Sequence, residues 1–292
     1  MFNFIFVTGA GRCGTNLLSG FIDGNPEVCV LPGEATNYLG LVMRHNGLSK
    51  NVNLSATGEY LKKIFTDEYK NDEDYEKIKI RLNKKFEEIK KKNIEVLSAN
   101  DFLSNICEAI FLKDNGIALI NLQNENISGV LEAFSGCKII HMLRNPLTQI
   151  NSRYLFRYTN PCNYRTGEFG ESFIRNYNSF FQAEIFKNHK QVKIIKMEDL
   201  QANTQKILKS VFNFLSIKII PENFIPSRRG NSFQGTKKGK KITTKEVFLS
   251  SGDYSCLSPN DLYFCSKINI AKKFYNIPDF AYAKNSFVFF LF

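Results

Sequence analysis

Short apolar runs, rich in isoleucine and valine and bounded by polar residues or glycine, recur along this 292-residue chain at intervals long enough to hold a helix. Such runs are typical of parallel strands that are buried on both faces. Parallel strands need long crossover connections, which helices usually supply. The pattern therefore predicts an α/β fold, a central, mostly parallel sheet flanked by helices. The predicted strands are 4–8, 28–31, 116–121, 138–143 and 192–196.

The length of the chain and the absence of an internal repeat or linker predict a single domain over residues 1–292. Four stretches of it have a distinct character. They are a glycine-rich turn and the residues after it in 1–50, solvated surface helices of mixed charge in 57–93, a strand followed by a helix start in 137–160, and a basic, glycine-punctuated mobile loop in 226–245.

Charge and cysteine content limit the class of partner and compartment. A net charge of +11 favours an anionic ligand. The seven cysteines include no C-x-x-C pair and no histidine at metal-ligand spacing, which predicts no metal site and favours a cytoplasmic location. No apolar run reaches the roughly 18 residues of a membrane-spanning helix, so no transmembrane segment is expected. Neither an oligomeric state nor a role for residues 276–292 follows from the sequence.

A glycine-rich turn follows the first predicted strand. Residues 9–16 contain three glycines and lead into an apolar helical stretch, 17–23. Glycines let the backbone bend tightly, and a helix start offers N–H groups with about half a unit of positive charge to phosphate-like groups. Arg12 adds a full charge and Thr15 a hydroxyl. This P-loop-like strand, turn and helix predicts an anion site.

Two familiar nucleotide motifs fit this turn incompletely. Gly9 and Gly14 have the spacing of an ATP-binding loop, but Thr15-Asn16 stands where that loop needs lysine followed by serine or threonine. The turn also matches the dinucleotide pattern G-x-G-x-x-G, with Glu34 near the expected ribose-binding acid. However, Glu34 follows Pro32-Gly33 rather than a strand tip, which leaves this reading as a weaker alternative.

A second anion site is predicted at the end of the strand 138–143. Arg144 follows this strand, and Pro146 is well placed to begin a helix. In that helix Thr148 and Ser152 lie one and two turns beyond Arg144 on a common face, so these side chains can converge on one phosphate.

The two segments resemble the ligand-binding motifs of sulfotransferases. Residues 11–18 are similar to the 5′-phosphosulfate loop of that family, R-S-G-T-T or K-S-G-T-T, from which Cys13 and Asn16 depart. Residues 138–152 are similar to its 3′-phosphate segment, K-x-I-x-x-x-R-[DN]-P-x-x-x-x-x-S. Residues 228–230 resemble the R-K-G loop that closes over the 3′-phosphate.

The resemblance implies an enzyme that takes a sulfuryl group from 3′-phosphoadenosine-5′-phosphosulfate (PAPS) without a metal. A further segment, 196–200, resembles the E-D-L strand end of the family. The residues implied to bind the co-substrate are Gly11, Arg12, Cys13, Gly14, Thr15, Asn16, Arg144, Ser152, Arg228, Arg229 and Gly230.

The catalytic residues implied are Arg12, to stabilise charge on the sulfuryl group, and Glu34, to remove the proton of a hydroxyl acceptor. Residues 33–36 resemble the G-E-x-T context of the base in tyrosylprotein and carbohydrate sulfotransferases, which mildly favours a saccharide acceptor. His141 is a rival base, but its place in mid-strand predicts a core histidine.

One departure from the family keeps an alternative open. Many relatives carry a catalytic lysine after the middle strand, where this chain has Asn121 and Gln123; Lys237 or Lys238 is a candidate replacement. The alternative is a catalytically weak or inactive protein that binds PAPS or an anionic glycan. The net charge also suits nucleic acid, but no aromatic-interleaved basic motif is present, so no nucleic-acid partner is expected.

Overall fold

A computed structural model describes residues 2–31, 51–53, 75–92, 94, 96–122, 125–157, 166–228, 231–232, 234–237, 240–243, 254 and 256–281. The strands are β1 (Phe2–Thr8), β2 (Val28–Val30), β3 (Asn51–Asn53), β4 (Val96–Ser98), β5 (Gly116–Leu122), β6 (Lys138–Leu143), β7 (Val192–Lys196), β8 (Ser227–Arg228), β9 (Asn231–Ser232), β10 (Gln234–Lys237) and β11 (Lys240–Thr243). The α-helices are α1 (Thr15–Ile22), α2 (Tyr75–Lys91), α3 (Ala99–Phe111), α4 (Ile127–Ala133), α5 (Pro146–Arg157), α6 (Thr166–Phe186), α7 (Met197–Ala202), α8 (Thr204–Leu215) and α9 (Pro259–Ser266).

Five strands form a parallel sheet in the order β2-β5-β1-β6-β7. The central strand is β1, in which Val7 pairs with Asn121 on one side and with Ile140 on the other. All five predicted strands are confirmed: β1 begins at Phe2 rather than Phe4, and the other four agree within one residue at each end. The predicted α/β fold is thus observed.

Alternate residues of β1 face opposite layers of helices, and both layers are apolar. Phe4 and Phe6 pack on α2, α3 and α4, whereas Ile5 and Val7 pack on α1 and α8. Burial on both faces explains why the strand reads as one continuous apolar run rather than an alternating one. The two helical layers hold β1 rigidly, and the turn that follows it therefore starts from a fixed point.

The neighbouring strands β1 and β6 are followed by connections that run to opposite sides of the sheet. From β1 the chain continues toward β2 on one side, and from β6 it continues toward β7 on the other. A crevice forms beyond the carboxyl ends of strands at such a switch point, and ligands of open α/β folds bind there. The segments that follow β1 and β6 both lie at this edge.

The longest helix, α6, packs with α5 and α9 in a third core cluster. It has 21 residues, and its buried face combines apolar side chains such as Phe180 with polar ones such as Ser172, Asn176 and Ser179. None of the helices in the described ranges is both long and apolar enough to cross a membrane.

Two parts of the sequence prediction need adjustment. Of the predicted surface helices in 57–93, the described part is α2, which is exposed on one side, where Ile80 lies, and buries Ile78, Leu82, Phe86 and Ile89 on the side that packs on α3. In the stretch 226–245, for which the sequence predicted a mobile loop, the described backbone forms the antiparallel pairs β8–β9 and β10–β11. A two-stranded ribbon is held mainly by main-chain hydrogen bonds, which every residue type can make, so its sequence need not carry a periodic signal.

Candidate active site

The turn after β1 is built from backbone conformations that few side chains permit. Gly9, Arg12 and Gly14 have φ angles of 151°, 72° and 89°. A Cβ at Gly9 would lie 2.6 Å from the carbonyl oxygen of Met142, and a Cβ at Gly14 would collide with Sδ of Met197. Both glycines are therefore required by close approach of the neighbouring strand and helix, as well as by backbone conformation.

Helix α1 begins directly after this turn. Gly14 occupies its N-cap position without a side-chain cap, and its carbonyl accepts the hydrogen bond of the Leu18 amide at 3.1 Å. The amides of the first turn, beginning with Thr15, have no partner within the helix and carry the positive end of its dipole. An anion that lies before the helix start would satisfy both.

The segment after β6 meets this turn through side chains. Arg144 donates from Nη1 to the carbonyl oxygen of Arg12 at 2.9 Å and from Nε to Oγ1 of Thr148 at 3.3 Å. Nε of Arg12 donates to Oγ of Ser152 at 3.4 Å. The structure thus brings Arg12, Arg144, Thr148 and Ser152 together in one cluster, as a site for a single ligand requires.

The cluster is positively charged and partly removed from water. Burial lowers the pKa of the Arg144 guanidinium, and the negative charge of Glu198 partly offsets this shift. Among the described residues, the hydrogen bonds of Arg144 go to a hydroxyl and a carbonyl and use two of its five N–H donors. A bound anion would stabilise the partly buried charge of Arg144.

Glu198 stabilises the segment after β6 through hydrogen bonds to Asn145 and Tyr275. Its two oxygens accept hydrogen bonds from the Asn145 amide at 3.0 Å and from the Tyr275 hydroxyl at 2.8 Å. Burial and the charge of Glu198 raise the pKa of Tyr275, so this side chain remains a phenol that donates. The sequence motif included Glu198, but it held no sign of Tyr275, which is 77 positions away.

Cys13 is a packing residue of the turn. Its side chain is buried, and burial raises the pKa of its thiol to about 12. Its amide donates to the carbonyl oxygen of Ala10 at 3.2 Å, which closes the turn internally. A buried thiol that stays protonated is not a nucleophile, so we assign this side chain no chemical role.

His141 is a core histidine, as its position in mid-strand predicted. The ring is fully buried; Nδ1 lies 2.8 Å from Oγ1 of Thr8, and Nε2 lies 2.8 Å from Oγ of Ser179. Burial lowers its pKa to about 4, so the ring is neutral near pH 7. Both ring nitrogens serve the packing of β1, β6 and α6.

Of the two residues that the sequence offered for the place of the family's mid-chain lysine, Asn121 is described by the structure and is neutral. Asn121, at the end of β5, is buried, and its Nδ2 donates to Oδ1 of Asn16 in the first turn of α1. Shortly beyond β5, Glu125 pairs with Arg175 of α6 at 3.3 Å. Arg175 is a cation that sequence reasoning missed, since nothing in α6 marks it.

Several predicted site residues lie outside the described residues: Glu34, Arg229, Gly230, and also Gln123 and Lys238. The backbone of Arg228 belongs to β8, where it pairs with Asn231. Within the described ranges, no group of three or more histidine, cysteine, aspartate or glutamate residues is arranged to hold a metal ion.

Comparisons with known proteins agree with this geometry. A model of the sulfotransferase family matches residues 4–221, a stretch that contains all of the parallel sheet except the first two residues of β1, together with the segments that follow β1 and β6. The sulfotransferase domain from the curacin biosynthetic pathway shares 17% identity and a TM-score of 0.55, over 95% of this chain and 99% of that one. The sulfotransferase domain from the Synechococcus PCC 7002 olefin synthase shares 15% identity and a TM-score of 0.55, over 94% and 96%. At these identities the structural similarity concerns the fold. A search among curated proteins found no match.

Proposed function

The chain belongs to the sulfotransferase family and is a sulfotransferase enzyme, and from this premise we propose that it transfers the sulfuryl group of PAPS to a hydroxyl group, with a saccharide as the favoured acceptor. PAPS carries a phosphosulfate at the 5′ end and a phosphate at the 3′ end. It therefore needs two anion sites at nucleotide distance.

The observation that carries the proposal is the contact between the segments after β1 and β6. Arg144 lies 2.9 Å from the Arg12 carbonyl, and Arg12 lies 3.4 Å from Ser152, so both segments border one crevice. The turn after β1 offers helix-start amides, and the segment after β6 offers a guanidinium with a hydroxyl two turns away. These donors suit a ligand with phosphate-like groups at two ends.

The chemistry of PAPS needs little covalent help from the protein. In this class of reaction the bond between sulfur and the 5′-phosphate oxygen breaks as a bond from sulfur to the acceptor oxygen forms, which yields a sulfate ester and adenosine 3′,5′-bisphosphate. Positioning and charge stabilisation then dominate catalysis, as in phosphoryl transfer. In the proposal, Arg12 and the first amides of α1 stabilise the charge that develops on the leaving phosphate.

The acceptor hydroxyl must lose a proton, and Glu34 is proposed to take it. Support comes from sequence alone: residues 33–36 resemble the G-E-x-T context, and Glu34 follows β2, whose carboxyl end lies at the ligand edge of the sheet. A general base contributes roughly 10²- to 10⁴-fold to the rate. We expect Glu34→Gln to lower turnover by about that factor and to leave the affinity for adenosine 3′,5′-bisphosphate unchanged.

The proposal is tested by incubating the full chain with ³⁵S-labelled PAPS and a panel of saccharides, phenols and tyrosine peptides. We expect a labelled sulfate ester, and a rate about 10²- to 10³-fold lower for Arg12→Ala. Arg81→Ala is a matched control. Arg81 lies on α2, away from the segments after β1 and β6, and its guanidinium also donates to a backbone carbonyl, that of Ala109 at 2.9 Å. Nucleotide binding without label transfer to any acceptor would favour the inactive alternative instead.

A further inference from the structure

A chain of buried amides links helix α6 to the turn after β1. Nε2 of Gln149, in α5, donates to the carbonyl oxygen of Gly11. Nδ2 of Asn176, in α6, donates to Oε1 of Gln149 at 2.7 Å and to the Ser172 carbonyl at 2.8 Å. Gln149 and Asn176 are 0% and 1% exposed, so water does not compete for these bonds.

The bond to Gly11 determines where the next amide points. In a trans peptide unit the C=O of one residue and the N–H of the following residue point in opposite directions. A donor that holds the Gly11 carbonyl therefore turns the Arg12 N–H to the opposite side, away from the buried Gln149. Without this donor the peptide unit could rotate, and its carbonyl oxygen would repel a bound anion.

The turn needs such support because it is strained. Arg12 has a φ of 72°, a left-handed conformation that costs a side-chain-bearing residue about 1 to 2 kcal/mol. A strained residue persists only where its surroundings fix it on several sides. Here Gln149 holds the carbonyl before Arg12, and Arg144 holds the carbonyl of Arg12 itself at 2.9 Å.

We propose that Gln149, held in place by Asn176, is a positioning residue that orients the Gly11–Arg12 peptide for binding of the 5′-phosphosulfate. The inference rests on the proposed function and extends it to two buried residues, Gln149, which contacts the turn, and Asn176, which contacts Gln149. Gln149 acts through the backbone and does not contact the ligand.

The chain offers a matched control with the same chemistry at the other end of α1. Nδ2 of Asn25 donates to Oδ1 of Asn223 at 2.9 Å, and Nδ2 of Asn223 donates to the Phe21 carbonyl at 2.9 Å. Asn223 is 0% exposed, as Gln149 is. An amide therefore holds a second amide and a backbone carbonyl in both places, but only Gln149 does so beside the crevice.

The test compares Gln149→Met with Asn223→Leu in the full chain. Each variant removes a buried amide and its hydrogen bonds with one backbone carbonyl and one side-chain amide, and Asn223→Leu also removes the bond from the Ile220 N–H, so both should lower the midpoint of urea unfolding. Isothermal titration with adenosine 3′,5′-bisphosphate, under conditions where each variant is folded, then separates them. We expect Gln149→Met to weaken binding about 10- to 100-fold, the range typical of residues that orient a ligating group, and Asn223→Leu to leave it unchanged.

Asn176→Leu should reproduce the effect of Gln149→Met in smaller measure, since it frees the Gln149 side chain without removing the donor. Unchanged affinity in Gln149→Met, or an equal loss in Asn223→Leu, would overturn the inference while the proposed function stands. Failure of the wild-type protein to bind the nucleotide would instead overturn the proposed function.

Discussion

The turn after β1 and the segment after β6 are proposed to bind one ligand, but they are built differently. The turn is a backbone structure, with positive φ angles at Gly9, Arg12 and Gly14. The segment after β6 is an ordinary helix start, whose side chains at Thr148 and Ser152 continue the face of Arg144 at four-residue spacing. A backbone site fails when its shape is lost, whereas a side-chain site loses affinity one group at a time.

The largest expected effect is on the turn, from Gly14→Ala. The added Cβ would overlap Sδ of Met197, and residue 14 has a φ of 89°, which strains any residue with a side chain. Together these effects should lower the free energy of unfolding by about 3 kcal/mol or more. Gly136→Ala is the control, because Gly136 has a φ of 82° and nothing within 4 Å of the added atom. That variant should cost about 1 kcal/mol in urea unfolding. Equal losses of unfolding free energy in the two variants would contradict the claim that close packing against Met197 requires a glycine at position 14.

A second prediction concerns His141, which joins the two strands that lead into these segments. Burial disfavours the charged ring and lowers the pKa of His141 from 6.5, its ordinary value and the one expected in the unfolded chain, to about 4 in the folded protein. The unfolded state therefore binds more protons between these values, and stability present above pH 6.5 is lost as the pH falls toward 4. The shift corresponds to about 3 kcal/mol.

Urea unfolding of the wild type and His141→Gln across this pH range measures the effect. The carboxylates titrate in both proteins, so the difference between the two curves isolates the histidine. We expect the wild type to lose more stability on acidification than the variant. Parallel curves would mean that the ring is not held neutral by the core.

In the second segment, Arg144→Ala should weaken binding of adenosine 3′,5′-bisphosphate about 10- to 100-fold, as expected for charged hydrogen bonds of about 1.5 to 3 kcal/mol. Part of the loss comes from the bond to the Arg12 carbonyl, through which this side chain also supports the turn. Arg144→Lys should recover only part of the affinity, because lysine lacks the planar fork of donors. Titration calorimetry measures both, with Arg81→Ala as the control.

The smallest effect is expected for Ser152→Ala. A single neutral hydroxyl contributes about 0.5 to 1.5 kcal/mol, so the affinity for the same nucleotide should fall only about 2- to 10-fold, with no change in unfolding free energy. A loss as large as that of Arg144→Ala would contradict the view that this segment binds through separable side chains.

The parallel sheet could be predicted from the sequence because each strand is apolar on both faces and local in the chain. The start of α5 at Pro146 and the core position of His141 followed from the same local reading. The sequence motifs also indicated the two segments that meet in the cluster, because the residues of each are close together in the chain.

The supporting contacts could not be predicted, since they join residues far apart in sequence. Tyr275 reaches Glu198, and Asn176 reaches Gln149, across distances that periodicity does not encode. Polar residues on a helix such as Gln149 usually read as solvent-facing, and only the packing of α5 against α6 makes this one internal. The ribbons β8–β9 and β10–β11 were missed because main-chain bonding leaves no side-chain pattern.

The central claim is that one nucleotide contacts both segments, and its most direct test is the preference for adenosine 3′,5′-bisphosphate over adenosine 5′-monophosphate in the wild type and in Arg144→Ala. Both nucleotides present a 5′ group to the turn after β1, and only the first presents a 3′-phosphate to Arg144. We predict that the wild type binds the bisphosphate more tightly and that Arg144→Ala loses most of this preference. An equal ratio of the two dissociation constants in both proteins would contradict the account.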